Sequence, residues 1–256
     1  MPHLFYSSTS QHRYYAWFEA LHTRVDLLLF ATLDEEGFER VEEKVRLCLE
    51  QVAAMGNRFD PKSELSRAVQ AATQTLGQPI PLSLELFGLL DRCLRAHRET
   101  GGLFDITVNS PCFEPGLMDA VKLIGTISYD KIAGRNEEEV VGGWLCLHRE
   151  GIILDLSGVL KGYALERVRT LLLKLGLCDA LVNLGNSSIL SLGSNPSDIP
   201  SGYVLTTSGN ATIDRRHIRN PLTAEWVEGV CQVSVTTSDA VEGEIQSIIT
   251  LLRANS

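Results

Sequence analysis

Apolar residues recur at helical spacing in several long stretches of the chain and at strand spacing in several short ones. In DEEGFERVEEKVRLCLEQVAAMG, 34–56, Phe38, Val41, Val45, Leu49 and Val52 fall three or four apart, which predicts an amphipathic helix. Acids open it, where they complement the positive helix end, and Gly56 closes it. SLELFGLLDRCLRAHRETGG, 83–102, predicts a second helix stopped by a glycine pair. GYALERVRTLLLKLGL predicts a third, with Ala164, Val168, Leu171 and Leu172 on one face. Ser63-Glu64 starts a further helix in FDPKSELSRAVQAA, and SDAVEGEIQSIITLLRA predicts a C-terminal one.

Strand signals are shorter. RVDLLLFA at 24–31 reads as a strand, and LFDITVNSP at 103–111 as a β-rich stretch closed by Pro111. GWLCLH and GIILDL read as the arms of a hairpin. DALVNLGNSSILSLG reads as strand, glycine turn, strand; SGYVLTTSGN, RRHIRNP and CQVSVTT add further short strands. Helices gather early and strands late, a pattern that favours an α+β fold with mixed β-sheets and packed helices over a doubly wound parallel sheet. Neither GxGxxG nor GxxxxGK[ST] occurs, so the usual dinucleotide and P-loop signals are missing.

At 256 residues the chain can bury roughly three quarters of its unfolded surface, enough for one large domain or two modest ones. Its net charge of -9 offers no basic stripe for phosphate backbones, which argues against a nucleic-acid partner. The six cysteines are scattered without a CxxC pair, which speaks against zinc and for a reducing, cytoplasmic setting. No apolar run approaches the roughly 20 residues that span a bilayer, and the N-terminus lacks the pattern of a signal peptide.

The stretch LDLSGVLKGYALERV, 154–168, concentrates the candidate chemistry. Asp155 precedes Lys161 by six residues, and Gly158 and Gly162 allow close backbone approach. A helix starts there, and helix N-termini bind anions, so the corner suits a phosphate-bearing ligand or is a strand-to-helix turn with a surface lysine. Asp105, between Phe104 and Ile106, reads equally as a ligand for hydroxyl or N–H groups and as a turn cap. His217 is suited to proton transfer or is structural. Glu242 and Glu244 are either ligands for a hard cation or a solvated acidic helix start.

Taken in order, these stretches resemble one family, the FAD:protein FMN transferases or ApbE-like flavin transferases. FDPKSELSR is similar to its y-x-P-x-SEL-S-R, GGLFDITV to its FDxTV box, and LDLSGVLKGYALERV to iDLGGIAKGYAxDxv. ALVNLGNSSILSLG resembles aLVNLGGDIxxxG, while TTSGN and HIRNP correspond to TSGxY and HIIDP. The resemblance implies one ApbE-like domain at 20–252 after an N-terminal extension at 1–19. It implies an enzyme that binds FAD and Mg²⁺, releases AMP and attaches FMN to a Thr or Ser of an acceptor protein. The alternatives are an FAD pyrophosphatase and a degenerate homologue that binds FAD or an adenine nucleotide without turnover. Carried over, Phe59, Leu103, Phe104, Asp105 and Thr107 belong to the FAD pocket, with Lys161 and Arg167 also on the nucleotide. The Ala164 carbonyl, Glu244 and Ser247 are the implied cation ligands, and His217 is the implied catalytic residue.

The family pattern is altered at several of these positions. Its ADAxxT helix has Glu244 at the Asp and Ile248 at the Thr. Its Gly-Gly-Asp is replaced by Asn186-Ser187-Ser188. Asn220 and Ala224 stand where an acid and a glycine are expected, and Leu21-His22-Thr23 where the family has Met-Gly-Thr. Ser157-Gly158 replaces a glycine pair, and Glu166 an aspartate. An octahedral Mg²⁺ site tolerates little misplacement, so these changes bear on the cation more than on FAD binding.

Overall fold

The computed structural model describes residues 13–125, 143–210, 218–228 and 231–255. The elements, in chain order, are β1 (Arg13–Ala20), β2 (Thr23–Phe30), α1 (Glu35–Gly56), α2 (Glu64–Gln74), β3 (Ile80–Leu82), α3 (Leu84–Glu99), β4 (Val121–Ile124), β5 (Gly143–Leu147), α4 (Leu160–Lys174), β6 (Ala180–Leu184), β7 (Ser188–Leu192), β8 (Val204–Asn210), β9 (Cys231–Thr237) and α5 (Ala240–Ala254). This is the α+β class that the sequence indicates. Where a mixed sheet was anticipated, every strand pair among the described residues is antiparallel.

The chain forms two compact units, one drawn from the described parts of Met1–Ala53, Ser157–Arg216 and Glu228–Ser256, the other from those of Ala54–Leu156 and His217–Val227. The first holds a six-stranded sheet in the order β1-β2-β6-β7-β8-β9. Residues 13–19, set apart by the sequence reading, are its edge strand, paired residue for residue with β2. A two-residue turn joins β1 to β2, with Leu21 and His22 both in the left-handed region at φ 51° and 58°. Such a turn twists with the strands it connects.

Alternation decides which face of this sheet is core. Tyr14, Ala16 and Phe18 of β1 stand opposite Leu29, Leu27 and Val25 of β2, which stand opposite Ala180, Val182 and Leu184 of β6. All nine are buried. Tyr14 stacks on Phe38 of α1, ring centroids 5.2 Å apart, so α1 covers this end. The predicted stripe Phe38, Val41, Val45, Leu49 and Val52 is buried throughout.

At the other end of the sheet the same row turns polar. Leu184 pairs with Ser188, Ser188 with Thr206, and Thr206 with Val235. Ser188 and Thr206 are both fully buried. α5 lies over this end, with Gly243 against β8 and β9: a Cβ there would meet Thr237 Oγ1 at 2.7 Å and Thr206 Oγ1 at 2.9 Å. α4 crosses α5 at Gly162, where a Cβ would come within 2.5 Å of the Ala240 carbonyl oxygen. Only glycine permits so close a crossing.

The second unit holds the sheet β3-β5-β4 with α2 and α3. Ser63 and Ser83 cap these helices, their hydroxyls accepting from Ser66 N and Leu86 N. Two sequence expectations change here. LFDITVNSP forms turns, and GIILDL follows an irregular path. The two segments hold each other through loop contacts: Asp155 N donates to the Ile106 carbonyl at 2.7 Å, and Ile153 N donates to Ser110 Oγ at 2.9 Å. RRHIRNP is no strand over its described part, where Arg219 makes an isolated bridge to Trp226.

Candidate functional site

In the second unit, Asp105 organises its own loop. Its Oδ1 accepts both the backbone N–H and the hydroxyl of Thr107, each at 2.6 Å. This local capture competes with strand pairing, which explains why the segment turns. Oδ2 lies 3.6 Å from His97 Nδ1, which is itself 2.9 Å from the Phe104 carbonyl. Burial pushes the Asp105 carboxyl above its usual range, against the opposing hydrogen bonds from Thr107 and the charge of His97. The turn-cap reading therefore describes Oδ1, and Oδ2 has the looser environment.

Leu103 and Phe104 are buried, whereas the Phe59 ring is 65% exposed. The Arg58 guanidinium lies 4.1 Å from the centroid of that ring. Arg58 Nε also reaches Asp155 Oδ2 at 2.8 Å, and Asn109 Nδ2 donates to the same oxygen at 2.7 Å. Asp155 is thus held by an arginine and an amide that the sequence reading did not single out. A motif pairing an arginine with an acid 97 positions later has no local period to reveal it.

In the first unit, α4 and α5 bring Lys161 and Gly162 to Glu244, beside Ser187 and Ser188 of the β6–β7 hairpin, while Ala164 of α4 and Ser247 of α5 are buried in the same unit. Glu244 is 3% exposed, and its Oε1 accepts from Ser188 Oγ at 2.6 Å. Burial pushes its carboxyl above the usual range; the charge of Lys161 and hydrogen bonds from Ser188 and the Gly162 backbone oppose that shift. Lys161 Nζ donates to Ser187 Oγ. Ser247 Oγ lies 2.7 Å from Ser208 Oγ and 3.0 Å from the Glu244 carbonyl. Glu242, by contrast, is exposed in the first turn of α5 and accepts from Gln246 Nε2, as a solvated helix start would.

Arg167 faces elsewhere. It lines an open groove of about 310 Å³ with Lys44, Leu47, Gln51 and Lys174. His217 lies outside the described residues.

A family model described as the ApbE family matches residues 21–253, nearly the whole chain. The chain belongs to the ApbE family. Solved ApbE structures share its fold. The flavin transferase ApbE from Vibrio cholerae superposes with a TM-score of 0.71 at 17% identity, covering 94% of this chain and 87% of that one. The ApbE protein from Thermotoga maritima gives 0.70 at 18% identity, covering 96% and 88%. The apo flavinyl transferase ApbE of Pseudomonas stutzeri gives 0.71 at 16%, covering 94% and 85%. No curated protein matches the chain.

The motif itself corrects one register. Counted from Asn183, the Gly-Gly-Asp of the Asn-Leu-Gly box falls on Gly185-Asn186-Ser187, one residue earlier than the sequence reading set it. Gly185 and Asn186 have φ 64° and 58°, as a turn through two left-handed residues demands. Ser187 then stands at the acid, so the bond Lys161 makes here is to a hydroxyl.

The residues implied for Mg²⁺ supply one carboxylate, one hydroxyl and one backbone carbonyl, fewer oxygens than its shell takes, which leaves the rest to water and phosphate. The ion takes six oxygens at about 2.0–2.1 Å in near-ideal octahedral geometry. Here Glu244 is the single carboxylate of the implied set, and it already accepts from Ser188. The Ser247 hydroxyl is engaged with Ser208 and the Glu244 carbonyl. Ile248 brings hydrocarbon, its Cδ1 lying 3.0 Å from where a Cβ on Gly158 would stand. No group of three His, Cys, Asp or Glu suited to a metal occurs among the described residues.

Proposed function

We propose that this chain is an FAD-binding flavin transferase, one that cleaves the FAD diphosphate, releases AMP and attaches FMN to a Thr or Ser hydroxyl of an acceptor protein. The family match across residues 21–253 carries this reading. It is supported by the FDxTV loop, which keeps its acid and hydroxyl hydrogen-bonded to one another. The exposed Phe59 ring beside Arg58 offers an aromatic face to a flavin or adenine ring. Lys161 at the start of α4 offers positive charge to phosphates. Phosphoryl transfer needs positioning and charge neutralisation above all, and His217 is the residue proposed to orient or activate the attacking hydroxyl. The resemblance implies Mg²⁺ for the neutralisation, which the Ala164 carbonyl, Glu244 and Ser247 would hold.

A second reading, FAD binding without turnover, is favoured by Ile248 at the family's threonine position, where hydrocarbon replaces an oxygen ligand. A reducing, cytoplasmic setting belongs to the proposal and is supported by five free cysteines among the described residues. Among those residues no helix is long and apolar enough to cross a membrane.

The test is incubation of the full chain with FAD and a peptide carrying the family's DGxSGAT-type acceptor. Covalent flavin on the peptide with equimolar AMP supports the transferase. AMP and free FMN without peptide labelling indicate a pyrophosphatase, and quenching of FAD fluorescence without AMP indicates binding alone. Unquenched FAD with no product overturns the flavin reading.

A further inference from the structure

A groove of about 310 Å³ runs between α1 and α4. α1 lines it with Lys44, Leu47 and Gln51, and α4 with Arg167, Leu171 and Lys174, spacings that keep each set on one stripe of its helix. None of the described lining residues is an acid, in a chain of net charge -9. On α1 acids outnumber cations six to three, and Arg40 and Arg46 are paired with Glu36 and Glu42. The nearest acids to the stripe in sequence, Glu43 and Glu50, lie one position off it, about 100° round the helix. Lys44 and Lys174 make no ion pair among the described residues, and neither has an acid three or four positions away on its own helix. Arg167 Nη1 donates to the Tyr163 hydroxyl at 3.4 Å. In each row a leucine follows the first cation: Leu47 is 51% exposed and Leu171 half-buried. Leucines flanked by cations suit a segment in which apolar side chains alternate with carboxylates. An anionic lipid surface or a nucleic acid would set its own charge against the whole of the chain's, whereas a short acidic segment meets only the groove.

We infer that this groove docks an acidic, leucine-bearing segment of a partner protein. The partner is the acceptor, a step that rests on the flavin-transferase reading. Arg167 and Lys174 lie further along α4 from Lys161, by about 9 Å and about 20 Å at 1.5 Å per residue. An extended peptide covers those distances in roughly three to six residues. The acidic segment therefore stands at least that far in sequence from the hydroxyl that receives FMN.

Fluorescence anisotropy of a labelled peptide of alternating Glu and Leu, titrated with the full chain, tests the groove without FAD or turnover. Binding is expected to weaken roughly tenfold when Lys44→Gln is combined with Lys174→Gln, and equally when Gln replaces Glu in the peptide. Lys44→Arg with Lys174→Arg, which keeps the charge, is expected to bind as the wild type does. No binding, or equal binding by the Gln peptide or by the double Gln variant, overturns the inference. Binding of phosphatidylserine vesicles that the double Gln variant loses, with none of the peptide, overturns it in favour of a lipid surface. Joined to the DGxSGAT-type acceptor peptide about six residues from its Thr, the Glu-Leu segment is expected to lower the KM for flavin transfer roughly tenfold in the wild type and not in the double Gln variant, with kcat unchanged. An unchanged KM overturns the acceptor assignment while the docking site stands. No transfer to either peptide overturns the flavin reading, and the anisotropy then decides the docking site by itself.

Discussion

Ser188 of β7 and Glu244 of α5, 56 residues apart, meet at 2.6 Å on the buried face of the large sheet. Ser188 reaches that position because strand alternation continues the row Val25–Leu184 into β7, and a serine there replaces a hydrocarbon. Ser188→Ala is therefore expected to destabilise the protein by about 1–3 kcal/mol, the cost of leaving a buried acceptor short of its donor. Urea unfolding of the two proteins measures it. A difference within error would mean that Glu244 finds another donor.

The α4–α5 crossing gives a steric prediction. In Gly162→Ala the added methyl must displace the Ala240 carbonyl or the Glu244 side chain, whose Cγ would lie 2.8 Å away. The expected loss is about 1–3 kcal/mol, typical of overpacking. The urea midpoint of the variant checks it.

The raised carboxyl of Asp105 predicts a pH dependence of stability. The folded chain holds this proton more tightly than the unfolded chain, for which the value is about 3.9. Between the two values the native state binds more protons, so this group's contribution to stability falls as pH rises through the window and levels off above it. Asp105→Asn keeps the side-chain oxygen for Thr107 and removes the titration. The expected outcome is a stability-against-pH curve from which this decline above pH 4 is gone. A curve parallel to the wild type would exclude the effect.

Backbone strain supplies a fourth prediction. Leu21, His22 and Ala224 occupy the left-handed region, Ala224 at φ 59°. Side chains with a Cβ are disfavoured there by roughly 1–2 kcal/mol per residue. Ala224→Gly, and separately Leu21→Asn with His22→Gly, are each expected to raise stability by about 0.5–1 kcal/mol once the added freedom of the unfolded chain is subtracted. Thermal unfolding reads both, and a fall in midpoint would contradict them.

How far the sequence carried the fold depends on the kind of signal. The five α-helices among the described residues were legible because each has a periodic apolar stripe or a cap within its own residues, such as Ser63 or Phe38 with Val41 and Val45. LFDITVNSP misled because its composition is β-rich, while the Asp105 side chain takes the Thr107 N–H that a ladder would use. GIILDL misled for the matching reason: its backbone bonds go to Ile106 and Ser110 in a loop. β1 shows the alternation Tyr14, Ala16, Phe18, yet its partner β2 is what makes the pattern meaningful.

The candidate site was legible in the same uneven way. Lys161, Ala164, Glu244 and Ser247 were placed through motif resemblance, and the structure gathers them in one unit. The partners that set their chemistry, Ser187 and Ser188, come from a hairpin whose register only strand pairing determines. Arg167 comes to the nucleotide site through the same motif resemblance as Lys161, and the structure gives the two different neighbours.

The glycine at position 162 has a mechanical consequence. Because main chain meets main chain at that crossing, the spacing between α4 and α5 is gauged like the jaws of a calliper, with the Glu244 side chain seated between them and Lys161 outside the gauge. Charge can then be deleted or reversed at position 161 while the frame that carries it keeps its dimensions. That makes Lys161 a clean place to ask how much of this corner's chemistry is electrostatic and how much is shape.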